Sequence, residues 1–295
     1  MISGCANWSP RAFLVFCVIL LAISFTCGCS ERPRELGNAA PAHRLVILVP
    51  GTFANQPDWA RTDVAGKTLA KELLQQLNPG DTVIPYWWSG GLSHLDRVAA
   101  AGKLAKLIND TRLPDDDVYL VGHSHGGNVC LLAAAQSEQP VAAIICMGTP
   151  HVYLHHSNGN CDTAELPVYC LPQTLKNAEK IVCISDKNDR VAEELSNAFL
   201  TGTSEAEAAD AVIEWQAISE LNLSETRRSV LNERLFESGR LFASRKLNLA
   251  DENFELHSDH GRILGISAHT RLRSPEMACW IAALVKVIPD STSHP

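Results

Sequence analysis

The sequence has no excess of basic residues and no long basic segment. Its 25 lysines and arginines are outnumbered by 33 aspartates and glutamates, and the formal net charge is −8. A nucleic-acid-binding surface needs clustered positive charge, so this composition argues against a nucleic-acid partner. Charged residues make up only 20% of the chain and hydrophobic residues 46%. The chain therefore lacks the composition of a disordered protein, and we expect one large folded domain.

The apolar run near the N-terminus, residues 12–25, is too short for a typical membrane span. Its length is typical of a secretory signal core, which predicts a signal peptide over residues 1–28 and an exported protein. Gly28 followed by Cys29 resembles the end of a bacterial lipoprotein signal, in which the cysteine is lipidated. An uncleaved membrane anchor is the alternative. Residues 29–42 contain prolines and no apolar period, which predicts a tether.

Cysteine is too sparse for a disulfide scaffold, since ten cysteines are spread over 295 residues. Four of them lie within apolar patterns and are expected to be buried thiols: Cys130, Cys146, Cys183 and Cys279. Cys161 and Cys170 instead bracket a polar segment. In an exported chain these two could form a disulfide, and two free thiols are the alternative.

Apolar, β-branched runs alternate with helical patterns along the domain. The runs are residues 44–50, 81–88, 117–122, 141–148 and 180–185. Their hydrophobicity is continuous, which is typical of parallel strands covered on both faces. Helical periodicity is found over residues 94–110 and 274–288. The sequence therefore predicts an α/β fold over residues 43–290, with a mostly parallel central sheet and helices on both faces.

Two helical segments carry more specific expectations. Helix 94–110 is expected to bury a stripe formed by Leu95, Val98, Ala99, Gly102, Ala105 and Ile108. Residues 193–250 are rich in amphipathic helical patterns and show no obvious strand. They are either surface helices packed on the sheet or a lid that shields a site from water.

A serine lies between two histidines and two glycines in the segment GHSHGG, residues 122–127. A strand pattern runs directly into this G-x-S-x-G motif, and a helix pattern beginning near Asn128 follows it. This strand, turn and helix arrangement is typical of a nucleophile elbow, which holds Ser124 at a sharp turn. His123 and His125 flank the serine in sequence, so neither can readily lie over its hydroxyl, and the general base must come from elsewhere.

With this elbow the chain resembles the α/β-hydrolase superfamily, and most closely its bacterial lipase-like and esterase-like members. The resemblance implies the α/β-hydrolase fold and a nucleophilic role for Ser124. It also implies an oxyanion hole formed by the amide of His125 and that of Thr52 or Phe53. Many relatives read H-G-T-F where this chain has Pro50 before Gly-Thr-Phe.

The resemblance further indicates an acid and a base. Relatives commonly show D-x-V after a late strand, which favours Asp189 over Asp186. The segment AHTRLRSPEMACWI is similar to family tails that carry the histidine, which favours His269 over His257 and His260. The resulting order of serine, aspartate and histidine is that of the superfamily.

These expectations describe a serine hydrolase that cleaves small-molecule or lipid esters through an acyl-enzyme and needs no cofactor. An acyltransferase or thioesterase with the same triad is one alternative. A catalytically inactive binding module at a membrane surface is the other. Membrane association would come from the lipidated Cys29 or the N-terminal anchor.

Two groups of residues allow more than one interpretation. Residues 147–162 contain side chains of metal-ligating type: His151, His155, His156, Cys161 and Asp162. However, the GTPH part of this segment resembles a turn beside the acyl site of lipase-like relatives. We therefore expect a polar loop lining the pocket and no metal. Trp59, Trp87 and Trp88 either form the wall of an acyl pocket or belong to the core.

Overall fold

The structure, a computed structural model, describes residues 43–54, 56–91, 94–157, 163–191, 240–256 and 265–287. The leader, the tether and most of the segment between residues 193 and 250 lie outside these ranges, so the predictions made for them are not tested.

Six strands form the central sheet, and every neighbouring pair is parallel. In chain order they are β1 (Arg44–Val49), β2 (Thr82–Pro85), β3 (Asp117–His123), β4 (Ala143–Met147), β7 (Ile181–Asp186) and β9 (Glu252–Leu256). Their spatial order is β2, β1, β3, β4, β7, β9. Strands β1, β3, β4 and β7 consist almost wholly of buried residues, as expected for strands covered on both faces. Five of the six were predicted, and β9 was missed.

Helices cover both faces of this sheet, so the predicted fold class is confirmed. The helices are α1 (Leu69–Gln76), α2 (His94–Thr111), α3 (His125–Gln136), α4 (Pro172–Asn177), α5 (Gly265–Arg271) and α6 (Ala278–Val287). One core cluster joins the sheet to α2 and α3, through residues such as Leu104 and Leu131. The other joins it to α1 and α6, through residues such as Leu73 and Ile281.

A second, antiparallel sheet stands beside the first. Strand β5 (His151–Ser157) pairs with β6 (Thr163–Pro167) and with β8 (Arg240–Ser244). The interpretation of residues 147–162 as a polar loop is therefore wrong, because most of this segment is β5 or leads into it. The expectation of no strand over 193–250 is also wrong at β8. The pairing between β5 and β8 joins segments that are distant in sequence, which periodicity within one segment does not reveal.

Helix α2 has the expected extent, and the predicted buried stripe is only partly correct, because Ala105 and Ile108 are buried whereas Leu95 and Ala99 are exposed. Leu95, placed on the predicted buried stripe, is 62% exposed, whereas Arg97 is only 1% exposed. The guanidinium of Arg97 donates from Nε to the hydroxyl of Tyr169 at 2.8 Å, so its burial is compensated by a hydrogen bond. The apolar pattern of an alanine-rich helix is too weak to predict this orientation.

Helix α6 behaves as expected, with Met277 just before it and Ile281, Leu284 and Val285 buried. Cys279 on the same helix is an exposed free thiol, so its predicted burial is wrong. Cys170 is a buried free thiol, and Cys161 lies outside the described residues. None of the helices in the described part of the chain combines the length and the apolarity that crossing a membrane requires.

Candidate active site

The turn between β3 and α3 holds Ser124 in a strained conformation. Its backbone angles are φ 53° and ψ −136°, a region that non-glycine residues rarely adopt. The amide of Ser124 donates to the carbonyl of Met147 at 2.9 Å, which fixes the turn against the end of β4. Strain of this kind persists only where the surroundings determine it, and it is typical of a nucleophile elbow.

Two glycines allow the elbow to form because no side chain fits at their positions. A Cβ atom on Gly122 would lie 2.4 Å from the amide nitrogen of Gly127. A Cβ atom on Gly126 would lie 2.2 Å from the carbonyl oxygen of Val49 in β1. Both contacts are with backbone atoms that cannot move away, so the glycines of the motif are required by packing.

Helix α3 begins at His125, earlier than the sequence predicted, so its N-terminus directly follows the serine. The positive end of the helix dipole therefore lies next to Ser124. The ring of His125 is buried, with Nδ1 3.1 Å from the side-chain nitrogen of Asn128. Asn128 also donates to the carbonyl of Pro150 at 2.9 Å, which ties this helix to the segment after β4. Burial, with Arg97 and His269 nearby, lowers the pKa of His125 well below its usual value.

The loop after β1 approaches the serine closely. A Cβ atom at Gly51 would lie 2.6 Å from Cβ and 3.2 Å from Oγ of Ser124, so only glycine fits there. The amide of Phe53 donates to the carbonyl of Gly90 at 3.0 Å. Because this hydrogen bond occupies the amide of Phe53, the amide of Thr52 is the remaining candidate donor of this loop to the oxyanion. The backbone of Phe53 lies in the left-handed region, with φ 60°.

The segment after β2 supports this loop. The indole nitrogen of the buried Trp88 donates to the carbonyl of Pro50 at 2.7 Å. The buried side chain of Trp88 therefore fixes the loop after β1 to the core. Trp59 is also a core residue, and its ring meets that of His123 edge to face. Trp87 is half-buried and borders a cleft of about 340 Å³.

The two candidate acids lie at the end of β7 and in the turn after it, and they differ in what they contact. Asp186 accepts a hydrogen bond from the amide of Asn188 at 2.9 Å, which is a local turn contact. Asp189 accepts one from the amide of Val191 through Oδ1 at 2.9 Å. Its other oxygen, Oδ2, lies 2.8 Å from Nδ1 of His269. The structure thus brings Asp189, the favoured candidate, together with the favoured histidine.

His269 lies in α5, where the sequence showed only a short apolar run. It is buried beside the carboxylate of Asp189, whose side chain is fully buried. A Cβ atom on Gly148, which follows β4, would lie 3.0 Å from both Nδ1 of His269 and Oδ2 of Asp189. The pair therefore rests on the residue that follows Met147, the hydrogen-bond partner of the Ser124 amide. His257 and His260, the alternative bases, lie outside the described residues.

In this structure no hydrogen bond joins the hydroxyl of Ser124 to the ring of His269, although both lie in the part of the chain that is described. Such bonds are often long in a free enzyme and tighten when substrate binds.

His123 contacts the candidate base, which the sequence did not indicate. Its ring centroid lies 4.5 Å from that of His269, and its Nε2 donates to the backbone carbonyl of His269 at 3.1 Å. Burial, and then the proximity of His269 and Arg273, lowers the pKa of His123 well below its usual value. The neutral ring of His123 therefore helps to hold His269 in place through this hydrogen bond and ring contact. Asn128 and Gly148 were missed as well, because all three act through partners distant in sequence.

The site can be compared with known proteins. A family model described as the alpha/beta hydrolase fold matches residues 85–178, a range that includes the elbow and less than half of the chain. This match supports the resemblance to that superfamily. No curated protein matches the sequence.

Several solved structures resemble the chain at low sequence identity. A cutinase-like protein from Cryptococcus sp. is 12% identical, with a TM-score of 0.37, and covers 84% of this chain and 97% of its own. A methylesterase from Arabidopsis is 14% identical, with a TM-score of 0.36, and the match covers 82% of this chain and 98% of the methylesterase. The mouse alpha/beta hydrolase domain-containing protein 10 is 12% identical, with a TM-score of 0.41, and the match covers 89% of this chain and 100% of the mouse protein. These scores are too low to carry a conclusion about activity.

Proposed function

We propose that this protein is a serine hydrolase that cleaves carboxylic esters through an acyl-enzyme intermediate. One observation carries the proposal. A serine held at a strained turn shares the end of the sheet with a buried histidine and aspartate pair 2.8 Å apart. A buried imidazole oriented by a carboxylate is the arrangement that activates a serine hydroxyl.

The first chemical step transfers the acyl group to the serine. Ser124 Oγ forms a bond to the ester carbonyl carbon while Nε2 of His269 takes the hydroxyl proton. Asp189 accepts a hydrogen bond from Nδ1 of His269, which fixes the tautomer and stabilises the imidazolium. The ester bond to the leaving alcohol then breaks, and His269 returns the proton to the alkoxide oxygen.

The amides of His125 and Thr52 are the candidate donors to the carbonyl oxygen as it becomes negative. Each donor of this kind contributes on the order of 3 kcal/mol to catalysis. The N-terminus of α3 favours the same charge. In the second half of the reaction, water donates a proton to His269 and attacks the acyl carbon. The bond between this carbon and Ser124 Oγ then breaks, and His269 returns the proton to Oγ, so the acid is released and the Ser124 hydroxyl is restored.

Labelling with a fluorophosphonate tests this proposal directly. The probe reacts with an activated serine hydroxyl, so we expect stoichiometric labelling of the folded chain and none of Ser124→Ala. Hydrolysis of short-chain p-nitrophenyl esters should fall by up to about 10⁶-fold in the same variant. Circular dichroism should show both proteins folded. An unlabelled wild-type protein without esterase activity would refute the proposal and favour a binding module.

The site is also proposed to act on esters outside the cytoplasm, since the leader predicts export. The partner would then be a small-molecule or lipid ester, met at a membrane surface if Cys29 is lipidated. Mass spectrometry of the mature N-terminus, after expression in a bacterium, tests this part. A chain that begins at Cys29 with an added diacylglycerol is the expected product, and an uncleaved Met1 would contradict it.

A further inference from the structure

Three side chains of metal-ligating type meet in the core, away from the residues assigned to ester cleavage. Cys146 of β4 and Cys183 of β7 lie directly opposite each other in the parallel pairing, and His151 begins β5. One ligand atom from each lies within 4.8 Å of the others. We propose that Cys146, His151 and Cys183 form a structural site for a thiophilic divalent metal ion, with Zn²⁺ as the expected ion.

The distances within this cluster suit coordination. Nε2 of His151 lies 3.4 Å from Sγ of Cys183. In a tetrahedral zinc site with ordinary bond lengths, a nitrogen and a sulfur ligand are about 3.5 Å apart and two sulfurs about 3.8 Å apart. The widest pair of the cluster therefore has to close by only about 1 Å at most. Side-chain rotation of the cysteines is sufficient for such a change.

The imidazole of His151 is incompletely satisfied without an ion. The residue is only 1% exposed, and its Nδ1 is a buried atom with no hydrogen-bond partner in the described part of the chain. The other ring nitrogen contacts only a thiol, which is a weak hydrogen-bonding group. A buried polar group left in this way is costly. Coordination through Nε2 would replace the weak contact with the thiol by a strong bond, while the surroundings of Nδ1 would stay as they are.

The charge of the cluster favours a divalent ion. Two thiolates and one neutral imidazole bind a soft or borderline ion, and two negative charges balance one Zn²⁺. The complex would then add no net charge to the core, which matters because an uncompensated buried charge is very costly. Cys170 is a further buried free thiol, but it is not one of the three side chains whose ligand atoms meet in this cluster.

The position of the cluster suggests what the ion does. Cys146 immediately precedes Met147, whose carbonyl holds the amide of Ser124. Cys183 lies in the strand that ends at Asp186, just before the turn that carries Asp189. An ion at this point would fasten β4 to β7 and to β5 of the second sheet. The site is closed rather than open to substrate, which is typical of structural zinc. The sequence alone led us to expect no metal, because it did not bring His151 together with these two thiols.

Metal binding by the full chain is the test. We expect the reduced protein, purified with Zn²⁺ present, to retain about one ion per chain by mass spectrometry of its metals. After chelation and reloading with Co²⁺, an absorption band from thiolate to cobalt charge transfer should appear. The double variant Cys146→Ala/Cys183→Ala and the single variant His151→Gln should lose stoichiometric binding. Cys279→Ala is the matched control, since that thiol is exposed on α6 and should leave binding unchanged.

Three results would overturn the proposal. The first is less than about a tenth of an ion per chain in folded, reduced wild-type protein. The second is binding that persists in the double variant. The third is a mass spectrum showing a disulfide between Cys146 and Cys183 in protein purified without reductant, because an oxidised pair cannot ligate the ion. If the double variant does not fold, His151→Gln gives the same comparison with both thiols kept. The inference does not depend on ester hydrolysis, so an inactive protein that binds Zn²⁺ would still support it.

Discussion

The turn after β3 and the turn after β7 lie at the same end of one parallel sheet, yet they are built differently. The first turn is marked by its own sequence, because glycine is the only residue type that fits at positions 122 and 126 beside the strained Ser124. The second begins at Asp186, the last residue of β7, and contains Asp189, and each of these buried aspartates accepts a hydrogen bond from a backbone amide two residues further along the chain. The contact of Asp189 with His269 distinguishes the two.

This difference separates two kinds of site residue. The serine is recognisable because the glycines that its turn requires lie within a few residues of it in the sequence. The acid is recognisable only through a partner 80 residues away in sequence. Substitutions at the first turn should therefore reduce both stability and activity. Substitutions at the second turn should change activity while the fold is kept.

The two aspartates after β7 provide the most direct test of this separation. Asp189→Asn keeps the volume but removes the charge that orients His269, so kcat should fall by about 10⁴-fold. Asp186→Asn keeps a group that can accept the same turn hydrogen bond, and kcat should fall by less than about 10-fold. Steady-state ester hydrolysis by both variants gives the comparison. Equal losses in the two variants would contradict the assignment of Asp189.

The glycines of the first turn should show the opposite behaviour. Gly122→Ala places a methyl group against the backbone of Gly127, so we expect a destabilisation of about 1–3 kcal/mol together with loss of activity. Gly102→Ala in α2 is the matched control, because only the side chain of Gln136 approaches, at 3.4 Å. That variant should be neutral or more stable by up to about 1 kcal/mol. Urea unfolding measures both, and an unchanged Gly122→Ala would refute the packing argument.

His123 connects the two turns, since it precedes the serine and contacts His269. His123→Phe keeps a flat ring but loses the hydrogen bond to the carbonyl of His269, so the base is held less firmly. We expect kcat to fall by about 10-fold with KM unchanged, as for a loss of about 1.4 kcal/mol in the transition state alone. His123→Gln, which retains a donor, should recover part of the loss. A change confined to stability, with kcat preserved in both variants, would show that His123 is only a core residue.

The buried histidines on either side of Ser124 should make stability depend on pH. Burial lowers the pKa of His123 and His125 in the folded protein, so the unfolded chain binds more protons below its ordinary histidine pKa of about 6.5. Their contribution is fully present above that pH, and it is lost as the pH falls toward the folded pKa values.

Each of these histidines should add a slope of up to about 1.4 kcal/mol per pH unit to the free energy of unfolding below pH 6.5. Urea unfolding of the wild type and of His123→Phe across this range measures the difference. The variant should have the shallower slope. Identical slopes would mean that His123 is protonated in the folded state or accessible to water.

The strands of the central sheet show where sequence patterns suffice. The buried runs of β1, β3, β4 and β7 were predicted because a strand covered on both faces has few polar residues. Strand β5 was missed because its histidines suggest a polar loop, although His151 is buried by its neighbours. The orientation of α2 was predicted only in part, because the hydroxyl of Tyr169 allows Arg97 to face the core.

The sequence by itself determined five of the six central strands and the glycine-flanked turn at Ser124, since these depend on steric and hydrophobic patterns within short stretches of chain. The tertiary structure decided that Asp189 rather than Asp186 meets His269, that His123 supports it, and that His151 joins two thiols. These contacts join residues distant along the chain, and their free energy depends on burial and on distances that exist only after the sheet has assembled.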